Sequence, residues 1–177
     1  PVTVVGSWPR PTWLLEAMRR GRADLRSLQD EATLLAIKYQ EDAGVDIISD
    51  GEQRRDNFYS FICHRLDGIR LMTMADLLEY VEDKAAFETL LNALDVPAFA
   101  IKSPIAIDKI GRRDGLALDE LDFLKQHTTR QTKIPLPGPY LLTRSSWFEG
   151  LSDKAYPTAD ELSEDIVQIL RQEIVAL

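Results

Sequence analysis

Cysteine is nearly absent from this chain: Cys63 stands alone, so no internal disulfide can form, and His64 and His127 are the two histidines. Cys63 and His64 are adjacent, and neighbouring side chains on a helix project about 100° apart, so the pair does not converge on one ion. A metal site within this chain is therefore not expected, and His127 reads as a cation near a helix end. No apolar run is long enough to span a bilayer, and Pro1 to Val5 lacks the basic, then apolar, pattern of a targeting segment. The expected location is cytoplasmic, with no membrane partner. Basic residues are in deficit, 21 against 29 acidic, and the formal charge of -8 repels phosphate backbones, which argues against nucleic acid as a partner. Aromatic content is low at 8%, but 45% apolar residues in a chain of 177 suffice for the core of one domain. There is no internal repeat or low-complexity segment.

What is present is organised around Gly44 to Asn57, where an apolar run gives way abruptly to charges. Val45, Ile47 and Ile48 form the β-branched run of a strand covered on both faces, with Gly44 in the left-handed position that ends the preceding helix. Asp50 and Gly51 mark the strand's carboxyl end, and Glu52 follows. In α/β sheets and barrels ligands bind beyond the carboxyl ends of parallel strands, so Glu52 is the first site candidate.

The remaining pattern alternates strands with helices. Pro1 to Val5 reads as a strand that stops at the Gly6 to Pro11 loop, where two prolines and a glycine interrupt regular structure. A helix is expected over Thr12 to Arg20 with Gly21 as its stop. A longer helix is expected from Ser27 as N-cap, with Leu28, Ala32, Leu35, Tyr39 and Ala43 as its apolar stripe. After the Val45 strand come a helical stretch over 56–66, an extended piece over Gly68 to Thr73, one or two helices over Met74 to Leu94, an extended segment over Pro97 to Ile107, a turn over Gly111 to Gly115, and a helix over Leu118 to Thr128. Thr132 to Leu136 is the next core strand, followed by the Pro137 to Tyr140 loop and a further loop through Trp147. Thr158 and Glu161 form a capping box for a final helix, with Leu162, Ile166, Ile169, Leu170, Ile174 and Leu177 as its stripe.

The expected fold class is α/β: the amino-terminal portion of a TIM (β/α)8 barrel, residues 1–177, with a helical or hairpin insertion at about 56–117 after the second strand. Three parallel strands cannot close a barrel that needs eight, and no C-cap follows Leu177, so the rest of the barrel is expected to lie outside this chain.

Three motifs carry a family resemblance. Val5-Gly6-Ser7-Trp8-Pro9-Arg10 resembles the opening of the catalytic barrel of cobalamin-independent methionine synthases. Asp50-Gly51-Glu52 resembles that family's second-strand Gly-Glu motif, and Leu136-Pro137-Gly138-Pro139 its segment after the third strand. The resemblance implies methyl transfer to the thiol of homocysteine, with the Gly6-Ser7 backbone and hydroxyl and the Glu52 carboxylate holding the amino-acid end. This is chemically consistent, because N–H and O–H groups suit a carboxylate and a carboxylate suits an ammonium. The resemblance also implies zinc to activate the thiol, with ligands beyond Leu177 and none in this chain, and a methyl donor such as methyltetrahydrofolate. No residue here is assigned a catalytic role.

Arg10, Arg54, Arg55 and Trp147 are further candidates for substrate or donor binding, Trp147 because an aromatic face can stack on a planar donor. Each has a plainer alternative. Ser7 can cap a turn, Glu52 can pair with Arg54 or Arg55, Arg54 to Asp56 can be a solvated charge run, and Trp8 can be core. Two other functions remain open: a metal-free barrel of the uroporphyrinogen decarboxylase type, in which Arg10, Arg54, Arg55 and Arg144 would converge on substrate carboxylates, and a non-catalytic assembly module. An unclosed sheet favours self-association or pairing with the rest of a barrel, because its edge strands are unprotected.

Overall fold

A computed structural model describes residues 1–81, 84–85 and 102–177. In chain order its helices and strands are α1 (Thr12–Arg20), α2 (Leu25–Asp42), β1 (Ile47–Ile48), β2 (Leu66–Thr73), α3 (Met74–Leu77), β3 (Lys102–Arg112), α4 (Leu118–His127), β4 (Gln131–Thr132), α5 (Pro139–Ser146) and α6 (Ala159–Ala176). They fall into two compact units, one of Pro1–Phe58 with Ala117–Leu136 and Leu177, the other of Tyr59–Leu116 with Pro137–Ala176.

The first unit holds the parallel strands. Thr3 bridges Ile47 in parallel, and β1 pairs in parallel with β4, Ile47 opposite Gln131 and Ile48 opposite Thr132. The amino-terminal strand is thus reduced to a bridge at Thr3. The third strand lies earlier than Thr132 to Leu136, extended only by the Lys133 N–H to the Ile48 carbonyl at 2.9 Å. Pro135 and Pro137 have no N–H to continue that ladder. Ile37, Val45, Ile48 and Leu124 form the buried core between helices and strands.

Helix α1 has the expected span and ends as expected on Gly21, left-handed at φ 58°, whose N–H reaches back toward the helix. Helix α2 departs from expectation in two ways. It begins at Leu25, so Ser27 lies inside the first turn and is not its cap; the preceding Asp24 makes no capping bond because its carboxylate is taken by Arg22. Its buried face is Ala32, Thr33, Ala36, Ile37 and Gln40, while Leu35 is 42% and Tyr39 58% exposed. Ala36 packs close to Gly51, where a Cβ would lie 3.1 Å from its own, and the Tyr39 ring stacks on Trp8 with centroids 6.2 Å apart. Gly44 is left-handed at φ 76°, as expected of the residue that ends this helix.

The second unit is built on the antiparallel ribbon β2–β3, which runs from Leu66 opposite Arg112 to Thr73 opposite Lys102. Gly68 creates the register shift between Asp67 and Ile69; its φ is 75°, and a Cβ there would fall 2.4 Å from the Lys109 carbonyl oxygen. The helix expected over 56–66 is only a 3₁₀ turn, Ser60–His64, because the ribbon takes the chain from Leu66 onward. The strand also continues through Gly111 and Arg112, where a turn was expected. Of the helices expected over Met74 to Leu94, α3 forms, opened by a reciprocal capping box between Thr73 and Asp76, and a 3₁₀ turn follows over Leu78–Tyr80. The later part of that stretch, apart from 84–85, and residues 97–101 of the segment expected to be extended lie outside the described residues; from Lys102 to Ile107 that segment is extended as expected, within β3.

Where a loop was expected after Pro137, Pro139 instead opens α5 as its first residue, a position where a missing N–H is harmless. Helix α6 is capped by the Thr158 hydroxyl, which accepts the Glu161 N–H at 3.3 Å. Its buried face continues from Leu170 to Glu173, which pairs with Arg112 at 2.7 Å, and leaves Ile174 65% exposed. Phe61, Ile62, Leu116, Leu142, Tyr156 and Leu162 are among the core residues of this unit. No helix among the described residues is long and apolar enough to cross a membrane.

Candidate functional site

Beyond Ile48 the chain stays buried although it turns polar: Ser49, Asp50, Glu52, Gln53 and Arg55 are each at most 3% exposed. Such a segment needs hydrogen-bond partners, and neighbouring elements supply many of them. Gln40 of α2 stands in for a strand, donating to the Ser49 carbonyl at 2.8 Å and accepting the Ser49 N–H at 3.0 Å.

The turn itself is left-handed over two residues, Gly51 at φ 69° and Glu52 at φ 55°. Glycine is required at the first, since a Cβ on Gly51 would lie 2.7 Å from the Trp8 Cβ and 3.1 Å from the Ala36 Cβ. At the second, an L-residue in this region carries roughly 1–2 kcal/mol of steric cost and persists only where its surroundings hold it. The Glu52 N–H donates to Asp50 Oδ1 at 3.0 Å. Its carbonyl accepts from Arg10 Nη2 at 2.8 Å and from the Arg55 N–H at 3.2 Å.

The Gly6 to Arg10 loop is stitched to this turn. The Trp8 N–H donates to the Gly51 carbonyl at 3.0 Å, Gln53 Nε2 donates to the carbonyls of Trp8 and Gly51 at 2.8 and 2.9 Å, and Arg10 Nη2 also donates to the Arg55 carbonyl at 2.6 Å. Gly6, left-handed at φ 78°, and Ser7 are exposed on this loop. The three residues expected to hold an amino acid therefore belong to two loops joined by direct hydrogen bonds.

The expected arginines have other tasks. Arg54 is 4% exposed, binds Asp30 through Nε and Nη2 at 3.0 and 2.6 Å, and lies 4.0 Å over the Phe123 ring. Arg55 is 1% exposed, donates to the Glu120 carboxylate from Nε and Nη2, the shortest contact being 2.6 Å, and reaches the Pro135 carbonyl with Nη1 at 2.9 Å. Neither the solvated charge run nor the pairing of Glu52 with these arginines describes the structure: each guanidinium is buried on a different acid. Arg10 is directed to backbone carbonyls, so Arg10, Arg54 and Arg55 do not form the convergent set that substrate carboxylates would need. Trp147 belongs to the second unit, where its ring packs on the core and its indole N–H donates to the Tyr156 carbonyl at 3.0 Å.

Asp50, Glu120 and Gln53 are the site residues that sequence reasoning did not single out. The Asp-Gly turn two residues before Glu52 was a usable signal for Asp50. Glu120, an acid in the first turn of a helix far along the chain, offered none.

Electrostatically the turn is a desolvated cluster. Burial pushes the Asp50 carboxyl above its ordinary value, against the opposing pull of the Glu52 N–H and of Arg55 and Arg54. Burial raises Glu120 also, opposed by its bonds to Arg55, and lowers the Arg10 guanidinium. Arg10 Nε, Asp50 Oδ2, Glu52 Oε1, Gln53 Oε1 and Arg54 Nη1 are buried without a hydrogen-bond partner; elsewhere among the described residues this holds only for Arg112 Nε and Ser146 Oγ. Clustered unsatisfied polar atoms are costly for folding alone and are suited to a polar ligand. Among the described residues no group of three or more His, Cys, Asp or Glu side chains is placed to hold a metal ion, so the residues present do not fit a zinc site.

The likeness to known proteins extends along the whole chain. A methionine synthase of Sulfolobus acidocaldarius is 29% identical over 98% of this chain, and one of Thermococcus kodakarensis is 30% identical over 100% of it. The chain spans about half the length of these curated relatives, 47% and 48% respectively. A solved B12-independent methionine synthase from Shewanella sp. W3-18-1, in complex with selenomethionine, shares the fold with a TM-score of 0.71 at 22% identity, over 98% of this chain and 47% of that one. The fold is thus that of a portion of a TIM barrel, and the decarboxylase alternative gains nothing from these likenesses. With the family model for the cobalamin-independent synthase catalytic domain matching residues 1–177, the chain belongs to that family.

Proposed function

We propose that this chain supplies the amino-acid-binding part of an enzyme that transfers a methyl group to the thiol of homocysteine, forming methionine. One observation carries the reading: Glu52, 2% exposed beyond a parallel strand and held left-handed, keeps carboxylate Oε1 without a hydrogen-bond partner. A substrate ammonium provides the donors this oxygen lacks, and a charge-assisted bond in a desolvated site is among the stronger kinds. The exposed N–H groups and hydroxyl of Gly6 and Ser7, on the loop stitched to the same turn, suit the substrate carboxylate. The methionine synthase names of the relatives, and the selenomethionine complex of the Shewanella protein, support an amino-acid ligand of this kind.

Zinc, which the family resemblance implies for thiol activation, has no fitting residues among those described, so this reading gives the chain no part in holding it. The methyl donor, a reduced folate in this reading, is not assigned to Trp147, whose N–H and ring face are engaged within its own unit. A cytoplasmic setting fits the single cysteine and the acidic charge.

The reading is tested by calorimetric titration of the chain with homocysteine and with 4-mercaptobutyrate, which lacks the amine. Glu52→Gln is expected to weaken homocysteine binding at least about tenfold, the worth of a hydrogen bond to a charged group, while leaving mercaptobutyrate binding and the melting temperature near those of the wild type. Unchanged homocysteine affinity together with a lowered melting temperature would make Glu52 structural and sink the proposal.

A further inference from the structure

We propose that Asp50 and Arg10 are positioning residues that hold Glu52 in its left-handed conformation by gripping the two ends of that residue, and so set the carboxylate that binds the substrate amine. The inference rests on the amino-acid-binding reading of Glu52 and adds to it the residues that make Glu52 competent.

The geometry separates the two tasks. Asp50 is fully buried, and Oδ1 takes the Glu52 N–H at 3.0 Å while Oδ2 has no partner, so the one bond it makes here is to the backbone of the residue two positions on. Arg10 works from the other side. Its Nη2 donates to the Glu52 carbonyl at 2.8 Å and to the Arg55 carbonyl at 2.6 Å, which closes the turn onto the chain that follows. A side chain at φ 55° relaxes to the ordinary right-handed or extended regions when such restraints are released, and that relaxation swings the carboxylate away from its place beyond the strand. Gly51, also left-handed, cannot do this holding because it has no side chain to anchor.

Asp50 is also distinct from a ligand-binding acid by the chemistry its role requires. A backbone-gripping Asp needs an acceptor oxygen, not a charge, so Asn at this position retains the task while Ala loses it. A carboxylate that met the substrate amine itself would lose affinity in either replacement.

The test combines ligand binding with a stability cycle on the full chain. Asp50→Ala is expected to lose about tenfold in homocysteine affinity, as for one lost orienting hydrogen bond, and Asp50→Asn to recover most of that loss; Arg10→Met should repeat the Asp50→Ala effect from the opposite side. In parallel, the drop in melting temperature caused by Asp50→Ala is measured in the wild-type and Glu52→Gly backgrounds. Glycine needs no restraint at this φ, so the drop should be clearly smaller in the Glu52→Gly background, and the removal of a buried carboxyl cancels in the comparison. An Asp50→Asn chain as weak as Asp50→Ala, an Asp50→Ala chain that binds like the wild type, or equal melting shifts in the two backgrounds would overturn the proposal. Absence of homocysteine binding to the wild type, or equal binding by Glu52→Gln, would instead defeat the amino-acid reading, and the melting cycle would still decide whether Asp50 holds the Glu52 backbone.

Discussion

Asp50 ties the chemistry of the turn to its folding. Burial raises its carboxyl above the ordinary 3.8, outweighing the Glu52 N–H and the nearby guanidinium groups. A carboxyl with a raised folded-state pKa binds its proton more tightly in the folded than in the unfolded chain. The stability it contributes is therefore present in acid, and is lost as pH rises from the unfolded value through the raised folded one. Asp50→Asn keeps the acceptor and removes the titration. Urea unfolding at a series of pH values should show the wild type losing stability relative to Asp50→Asn as pH rises above about 4, where the unfolded carboxyl titrates. Glu120 is shifted in the same direction, in part by the Asp50 charge itself, so it does not cancel entirely in the difference; the part that depends on Asp50 adds to the wild-type loss with the same sign. A wild type that gains on Asp50→Asn as pH rises would mean that the arginines, not burial, govern this carboxyl.

At the scale of elements, the second unit depends on Tyr156 to join strand to helix. Its ring is fully buried, its hydroxyl accepts the Ile110 N–H of β3 at 2.8 Å, and it donates to Asp165 of α6 at 2.7 Å. Burial and the Asp165 bond both raise the phenol's pKa, so it stays protonated and able to donate. Tyr156→Phe leaves a strand N–H without this acceptor and a carboxylate without this donor. A loss of about 1–3 kcal/mol is expected by denaturant unfolding, and an unchanged midpoint would show that solvent replaces both bonds.

The elements also show which physics a linear sequence exposes. Helix α1 and its glycine stop were legible because apolar spacing and a left-handed terminus are local properties. The buried face of α2 was legible at Ala32 but not at Ala36, because Leu35 and Tyr39 offer larger apolar side chains, yet it is Ala36 that is buried, packed so close to Gly51 that a Cβ there would lie 3.1 Å from its own. Glu173 broke the stripe of α6 for a similar reason: its burial depends on Arg112, distant in sequence. At the site, Glu52 was legible from an abrupt change of polarity after a β-branched run. The acids that engage Arg54 and Arg55 were not, since Asp30 and Glu120 come from helices on either side of the turn in the chain and carry no local mark.

On the scale of the molecule, the parallel strands leave apolar side chains uncovered. Val2 is 62% and Val5 94% exposed on either side of the Thr3 bridge to Ile47, and relatives of about twice this length have further chain available to cover such an edge. Burying one valine side chain is worth about 1.5–3 kcal/mol, enough for a few exposed residues to drive weak association. The net charge of -8 opposes it, most effectively at low ionic strength where repulsion is least screened. Sedimentation velocity should therefore show concentration-dependent self-association that strengthens from about 0.01 M to about 0.15 M salt. Val5→Lys adds a charge of the kind that blunts natural sheet edges, and should shift the equilibrium toward monomer even though it lowers the net negative charge. If net charge alone governed association, the same substitution would promote it, so the sign of the change separates edge pairing from simple repulsion.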